Sequence, residues 1–179
     1  LKEYKTIHYL MPGELYIAKN PSAVWTVLGS CISVVFHHKK SGIGAICHAQ
    51  LPQPHNQSNC FDNCPENCRM DSGENNQFKY VTCAVKYMVN EFKKLHIPLR
   101  DLEIKMFGGA DINPGGGSRP SIGKQNIESA LKTLKEEGLS VAFNDTGGTT
   151  GRNILFLSRT GEVIAETHLQ KKAELMKKK

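Results

Sequence analysis

Residues 24–49 read Val-Trp-Thr-Val-Leu-Gly-Ser-Cys-Ile-Ser-Val-Val-Phe-His-His-Lys-Lys-Ser-Gly-Ile-Gly-Ala-Ile-Cys-His-Ala. Val24–Leu28, Ile32–His37 and Ile43–Ala49 are β-branched or alternating runs, each the length of a strand. Gly29-Ser30 and Lys39–Gly42 punctuate them, which predicts neighbouring strands joined by short turns. Residues 31 and 48 share a sum with 37 and 42, so one antiparallel register would set Cys31 opposite His48.

Downstream the period changes. Residues 52–78 hold three prolines, many Asn and Gln and three cysteines, and read as a long surface insertion. Val81, Ala84, Val85, Met88, Phe92 and Leu95 then fall on one helical stripe that Pro98 ends. Leu102–Phe107 is a short strand stopped by Gly108-Gly109, and a glycine-rich loop runs on to Gly117. Ser121 opens a second helix with Ile127, Ala130, Leu131 and Leu134 inward, and Gly138 stands where a helix commonly ends. Three late strands are expected at Leu139–Phe143, Asn153–Leu157 and Glu162–Thr167. Strands, helix, strand, helix, strands argue for an α+β layered domain over residues 1–170, not a doubly wound sheet.

The chain has 179 residues, enough for one ordinary core, with 39% hydrophobic and 22% charged side chains. The formal charge is +6, but five lysines and one glutamate lie in a basic tail at 171–179. Without the tail, 18 basic stand against 16 acidic side chains, which argues against nucleic acid as a partner. Nothing approaches a membrane span, and residues 1–20 lack the apolar core of a secretory signal. The six cysteines of so large a chain are expected to be mostly reduced thiols in the cytoplasm.

Cys31 follows a strand and a glycine turn, a place where a side chain is displayed and backbone N–H groups converge. His48 lies 17 residues later on the third strand, and Thr26 on the first strand is in position to bond the imidazole or a substrate. An unassisted thiol is roughly 3% thiolate at neutral pH, and a histidine raises its reactivity by taking the proton. A small buried residue and a core histidine would look the same in sequence, so this pair alone does not name a reaction.

Its surroundings do. Leu28-Gly29-Ser30-Cys31-Ile32-Ser33-Val34, followed by Gly42-Ile43-Gly44-Ala45-Ile46-Cys47-His48-Ala49-Gln50-Leu51-Pro52, resembles the CheD family of chemoreceptor glutamine deamidases. The resemblance continues at Lys105–Ala110, Ile122-Gly123, Gly147-Gly148, Gly151-Arg152 and Thr160–Val163, covering about residues 12–165. It implies a three-layer α/β/β sandwich, with Cys31 as nucleophile, His48 as general base and Thr26 completing a triad. Gly29 and Ser30 would supply oxyanion and substrate contacts, and no cofactor is implied. Methyl-accepting chemotaxis receptors would be the substrate and the phosphatase CheC a partner. An adaptor that binds CheC with little or no activity is the alternative.

Cys60, Cys64 and Cys68 depart from the family pattern. With Cys83 or His55 they would make a metal site or a redox pair, but their spacing fits no CxxC template, and unpaired loop cysteines are the plainer reading. Gly115–Gly117 lacks the Lys-Ser/Thr of a phosphate loop. His37 and His38 read as a charged hairpin end, and Asp145, Arg152 and Asn153 as loop-shaping residues.

Overall fold

The computed structural model describes residues 4–54, 78–112 and 120–167. Nine strands and two helices are seen among them: β1 (Thr6–Tyr9), β2 (Leu15–Ala18), β3 (Ser22–Leu28), β4 (Ile32–His38) and β5 (Ile43–Cys47); then α1 (Val81–Lys94), β6 (Leu102–Gly108), α2 (Ile122–Glu136), β7 (Phe143–Thr146), β8 (Arg152–Leu157) and β9 (Glu162–Thr167). They form a five-stranded sheet in the order β2-β5-β4-β6-β7 and a four-stranded sheet in the order β1-β3-β8-β9.

The three layers follow from side-chain alternation. On β4, Ile32, Val34 and Phe36 pack with Ala45, Cys47 and Ala49 against Val85, Met88 and Phe92 of α1 and Ala130 and Leu134 of α2. The alternate residue Val35 joins Ile46 and meets Val24, Leu28, Ile154 and Phe156 of the four-stranded sheet. β4 is covered on both faces and all seven of its residues are buried, which is why it reads as a nearly unbroken apolar run. The result is an α/β/β sandwich, the expected α+β class. Residues 55–77 and 168–179 lie outside the described residues, and with them most of the expected insertion, the Cys60, Cys64 and Cys68 group, His55, and the basic tail.

Several expectations are corrected. β3 and β4 are not neighbours: β3 pairs with β1 and β8, and β4 with β5 and β6. Gly29–Cys31 is a corner that carries the chain from one sheet to the other. The β4–β5 register is shifted by two residues, pairing His38 with Ile43 and Val35 with Ile46. Both Ser41 and Gly42 turn their N–H groups to the His38 carbonyl, so the loop closes one residue later on each strand than expected. Leu139–Ala142 is no strand, because the Leu139 N–H is spent on the Leu134 carbonyl where Gly138, at φ +71°, ends α2. Leu131 is exposed, and α2 instead buries Gly123, Asn126, Ala130, Thr133 and Leu134. His37 is no hairpin charge: it is buried, and that burial holds its pKa below the ordinary imidazole value.

Candidate active site

The shift in register keeps Cys31 and His48 on one face. The last backbone pair between the two chain segments is Ile32 with Ala49, bonded in both directions at 2.9 Å. Cys31 precedes Ile32 and His48 precedes Ala49, so the two are diagonal neighbours, and side chains on that diagonal are within reach of a ring. Both face the space between the sheets. Cys31 packs against the Leu28, Phe107 and Ile154 cluster, and His48 reaches Thr26 of β3 in the other sheet.

The histidine is held on all sides. Its carbonyl accepts from Gly13 N–H at 2.8 Å and its own N–H donates to the Glu14 carbonyl at 2.9 Å. The Thr26 hydroxyl lies 2.7 Å from the Leu10 carbonyl and 2.7 Å from His48 Nδ1. A hydroxyl has one proton, and a carbonyl can only accept. The Thr26 proton therefore goes to Leu10, and Nδ1 must carry the hydrogen that Thr26 accepts. This tautomer leaves Nε2 as a free base. Burial pushes the His48 pKa down, with the Leu10 carbonyl and the Glu14 carboxylate opposing the shift, so the ring is neutral at pH 7.

Among the described cysteines, Cys31 is partly exposed and Cys47 and Cys83 are buried. Cys47 adjoins His48 in sequence but points into the helical layer, where burial pushes its thiol up to about 11. Burial also raises the Cys31 thiol, and its own backbone N–H works the other way. Burial therefore acts in the same sense on both groups, favouring the neutral thiol of Cys31 and the neutral imidazole of His48 over their charged forms.

The corner that carries Cys31 is clamped in sequence. Gly109 N–H donates to the Cys31 carbonyl at 2.7 Å and Ala110 N–H to the Gly29 carbonyl at 2.9 Å. Gly147 N–H and the Arg152 guanidinium converge in turn on the Gly108 carbonyl. Arg152 also bonds the carbonyls of Asp145 and Gly147 and pairs with the Asp145 carboxylate at 3.3 Å. Arg152 and Asp145 do shape a loop, and that loop backs the candidate nucleophile. Asn153, by contrast, belongs to β8 and pairs with Val27. Two groups went unread in the sequence: the Leu10 carbonyl, which leaves no side-chain trace, and Asn126, a polar residue on the buried stripe of α2.

No group of three or more His, Cys, Asp or Glu side chains among the described residues is arranged to hold a metal. No helix among them is long and apolar enough to cross a membrane.

Residues 64–167 match the family described as CheD chemotactic sensory transduction. A Geobacter sulfurreducens protein named probable chemoreceptor glutamine deamidase CheD 2 is 39% identical over 156 residues, covering 87% of this chain and 86% of the relative. The chain belongs to the CheD family. That match leaves 23 of the 179 residues outside it, so its span includes both Cys31 and His48 of this CheD-family chain. Two further CheD relatives are similar. The Thermotoga maritima chemoreceptor glutamine deamidase CheD is 32% identical over 155 residues, 85% of this chain and 86% of the relative. A Methanococcus maripaludis probable chemoreceptor glutamine deamidase CheD is 31% identical over 155 residues, 87% of this chain and 91% of the relative.

Proposed function

We propose that this CheD-family chain deamidates glutamine side chains of chemoreceptors through Cys31, with His48 as base and Thr26 as the group that sets its tautomer. The observation that carries the reading is the Leu10–Thr26–His48 chain of 2.7 Å bonds, which presents a neutral imidazole with a free Nε2 on the face shared with Cys31.

The chemistry follows from those groups. His48 Nε2 takes the thiol proton as Cys31 Sγ attacks the side-chain carbonyl carbon of glutamine. Backbone N–H groups of the Gly29–Cys31 corner support the negative oxygen, each such donor being worth ~3–4 kcal/mol in related sites. The C–N bond breaks, the imidazolium gives its proton to the nitrogen, and ammonia leaves a thioester. His48 then draws a proton from water, which attacks the thioester and releases glutamate and the thiol. Each turnover replaces a neutral amide by a carboxylate, a charge change large enough to bias a receptor helix bundle.

The same reading takes a CheC-type phosphatase as a partner and the cytoplasm as the place of reaction, and a pull-down tests the former. The central test is mass spectrometry of a receptor cytoplasmic fragment incubated with the protein or with Cys31→Ala. A gain of one mass unit per modified glutamine is expected with the unmutated protein alone. Equal gain with Cys31→Ala would overturn the nucleophile, and no gain with either would leave an adaptor.

A further inference from the structure

We propose that Asn126 of α2 is the positioning residue that sets Cys31 against His48. The inference rests on the deamidase reading above and adds a group to it. Asn126 is fully buried, and its side-chain amide donates to the Ser30 carbonyl at 2.9 Å and to the Gln50 carbonyl at 2.9 Å. Ser30 is the residue before the nucleophile. Gln50 lies two beyond the base.

The location explains why such a tie is needed. The ladder between the segments bearing Cys31 and His48 ends at Ile32 and Ala49. Past that pair the chains part, and Gln50 N–H turns away to the Lys79 carbonyl at 2.8 Å. The carbonyls of residues 30 and 50 thus face a gap, and an NH2 group has two hydrogens to give them. One amide spans the opening where the backbone ladder cannot, and fixes the separation of the segments that carry thiol and imidazole.

The helix holding that amide is itself fixed. A Cβ at Gly123 would stand 2.5 Å from the Gly109 carbonyl oxygen and 2.6 Å from that of Ala110. One face of α2 therefore abuts the segment that clamps Gly29 and Cys31, and one turn later reaches both catalytic segments through Asn126. The Asn126 Oδ1 is buried without a hydrogen-bond partner among the described residues. An apolar side chain of the same shape would spare that unpaired acceptor. The polar residue is explained by what its two donors hold.

The test measures kcat and KM for receptor-fragment deamidation, together with the pH dependence of Cys31 alkylation by iodoacetamide. Both are measured on the folded fraction of Asn126→Ala, Asn126→Ser and Ser129→Ala. Ser129, on the same helix, donates to the Pro52 carbonyl at 2.9 Å and serves as the control for loss of an ordinary α2 bond. Misplacing reacting groups by about an ångström costs up to ~100-fold in rate, so kcat of Asn126→Ala should fall by more than ~10-fold with KM little changed. Its alkylation profile should move, Asn126→Ser should fall between, and Ser129→Ala should match the unmutated protein. An Asn126→Ala protein that loses melting temperature but keeps kcat and the alkylation profile would overturn the proposal. So would failure of both Asn126 variants to fold, since that marks a scaffold residue. If the unmutated protein deamidates nothing, the deamidase reading fails instead, and the alkylation profiles still decide whether Asn126 positions the thiol.

Discussion

Thr26 Oγ1 and His48 Nδ1, 2.7 Å apart, join the two sheets of the sandwich through a hydroxyl whose proton is already committed to Leu10. Thr26→Val keeps the shape and removes the acceptor. His48 Nδ1–H and the Leu10 carbonyl then lose their partner, and the ring can take the tautomer that hides its base. Deamidation should fall by ~100-fold or more, the usual worth of an oriented general base. Stability should fall by about 1–3 kcal/mol for the orphaned buried groups. Thr26→Ser should keep most of the activity. The check is kcat/KM of both variants beside their urea midpoints, and equal activity of Thr26→Val would remove Thr26 from the mechanism.

The pH response follows from the directions of two shifts. The Cys31 thiol is raised by burial, so its alkylation rate should keep climbing above pH ~8.5, where an ordinary thiol is half ionised. His48 is lowered by burial, so the base stays unprotonated below its ordinary ~6.5 and the acid limb of kcat/KM should lie under that value. Iodoacetamide labelling followed at the Cys31 peptide, from pH 5 to 10, tests the first point. A plateau from acid to neutral pH would mean a thiolate–imidazolium ion pair, contrary to the direction in which burial moves both groups.

Much of this arrangement was legible in the chain. The alternation in Glu162–Thr167 matches a strand whose residues alternate in exposure, and Ser121 caps α2, with its hydroxyl accepting from Lys124 N–H at 3.3 Å. Those features are local. What escaped is set by distant partners. Gly29-Ser30 looks like a hairpin turn and is a corner between sheets, because β8, more than a hundred residues away, claims β3. β1 and β2 are four residues each and depend on β3 and β5 for their pairing. Thr26, Cys31 and His48 were readable as residue types, but the Leu10 carbonyl that decides the tautomer was not. Asn126 left a trace as a polar side chain in line with Ala130, and only the burial of that stripe makes it meaningful.

The glycines of the Cys31 clamp should tolerate no side chain. Gly108 sits at φ +101°, and a Cβ there would collide with the Cys31 carbonyl oxygen and stand 3.2 Å from Leu28. Backbone strain and collision combine, so Gly108→Ala should cost more than ~3 kcal/mol and abolish Cys31 alkylation selectivity. Gly138, at φ +71° with open space around its Cβ position, isolates the strain alone, and Gly138→Ala should cost only about 1–2 kcal/mol. Thermal melts of the two variants make the comparison. Equal losses would mean that contact with Cys31 adds nothing.

Arg152 offers a separate test of what holds the loop behind the nucleophile. Its guanidinium serves the carbonyls of Gly108, Asp145 and Gly147, while the carboxylate it pairs with, Asp145, is 40% exposed. A half-open ion pair is worth under ~1 kcal/mol, so Asp145→Asn should be nearly silent. Arg152→Met buries three carbonyls that lose a charged donor, and should cost about 2–4 kcal/mol. Arg152→Lys should rescue little of it, since one ammonium cannot reproduce a planar fork aimed at several carbonyls. Urea midpoints order the three variants as Asp145→Asn, then Arg152→Lys, then Arg152→Met, from most to least stable. An Asp145→Asn loss as large as that of Arg152→Met would shift the weight from the carbonyl contacts to the ion pair.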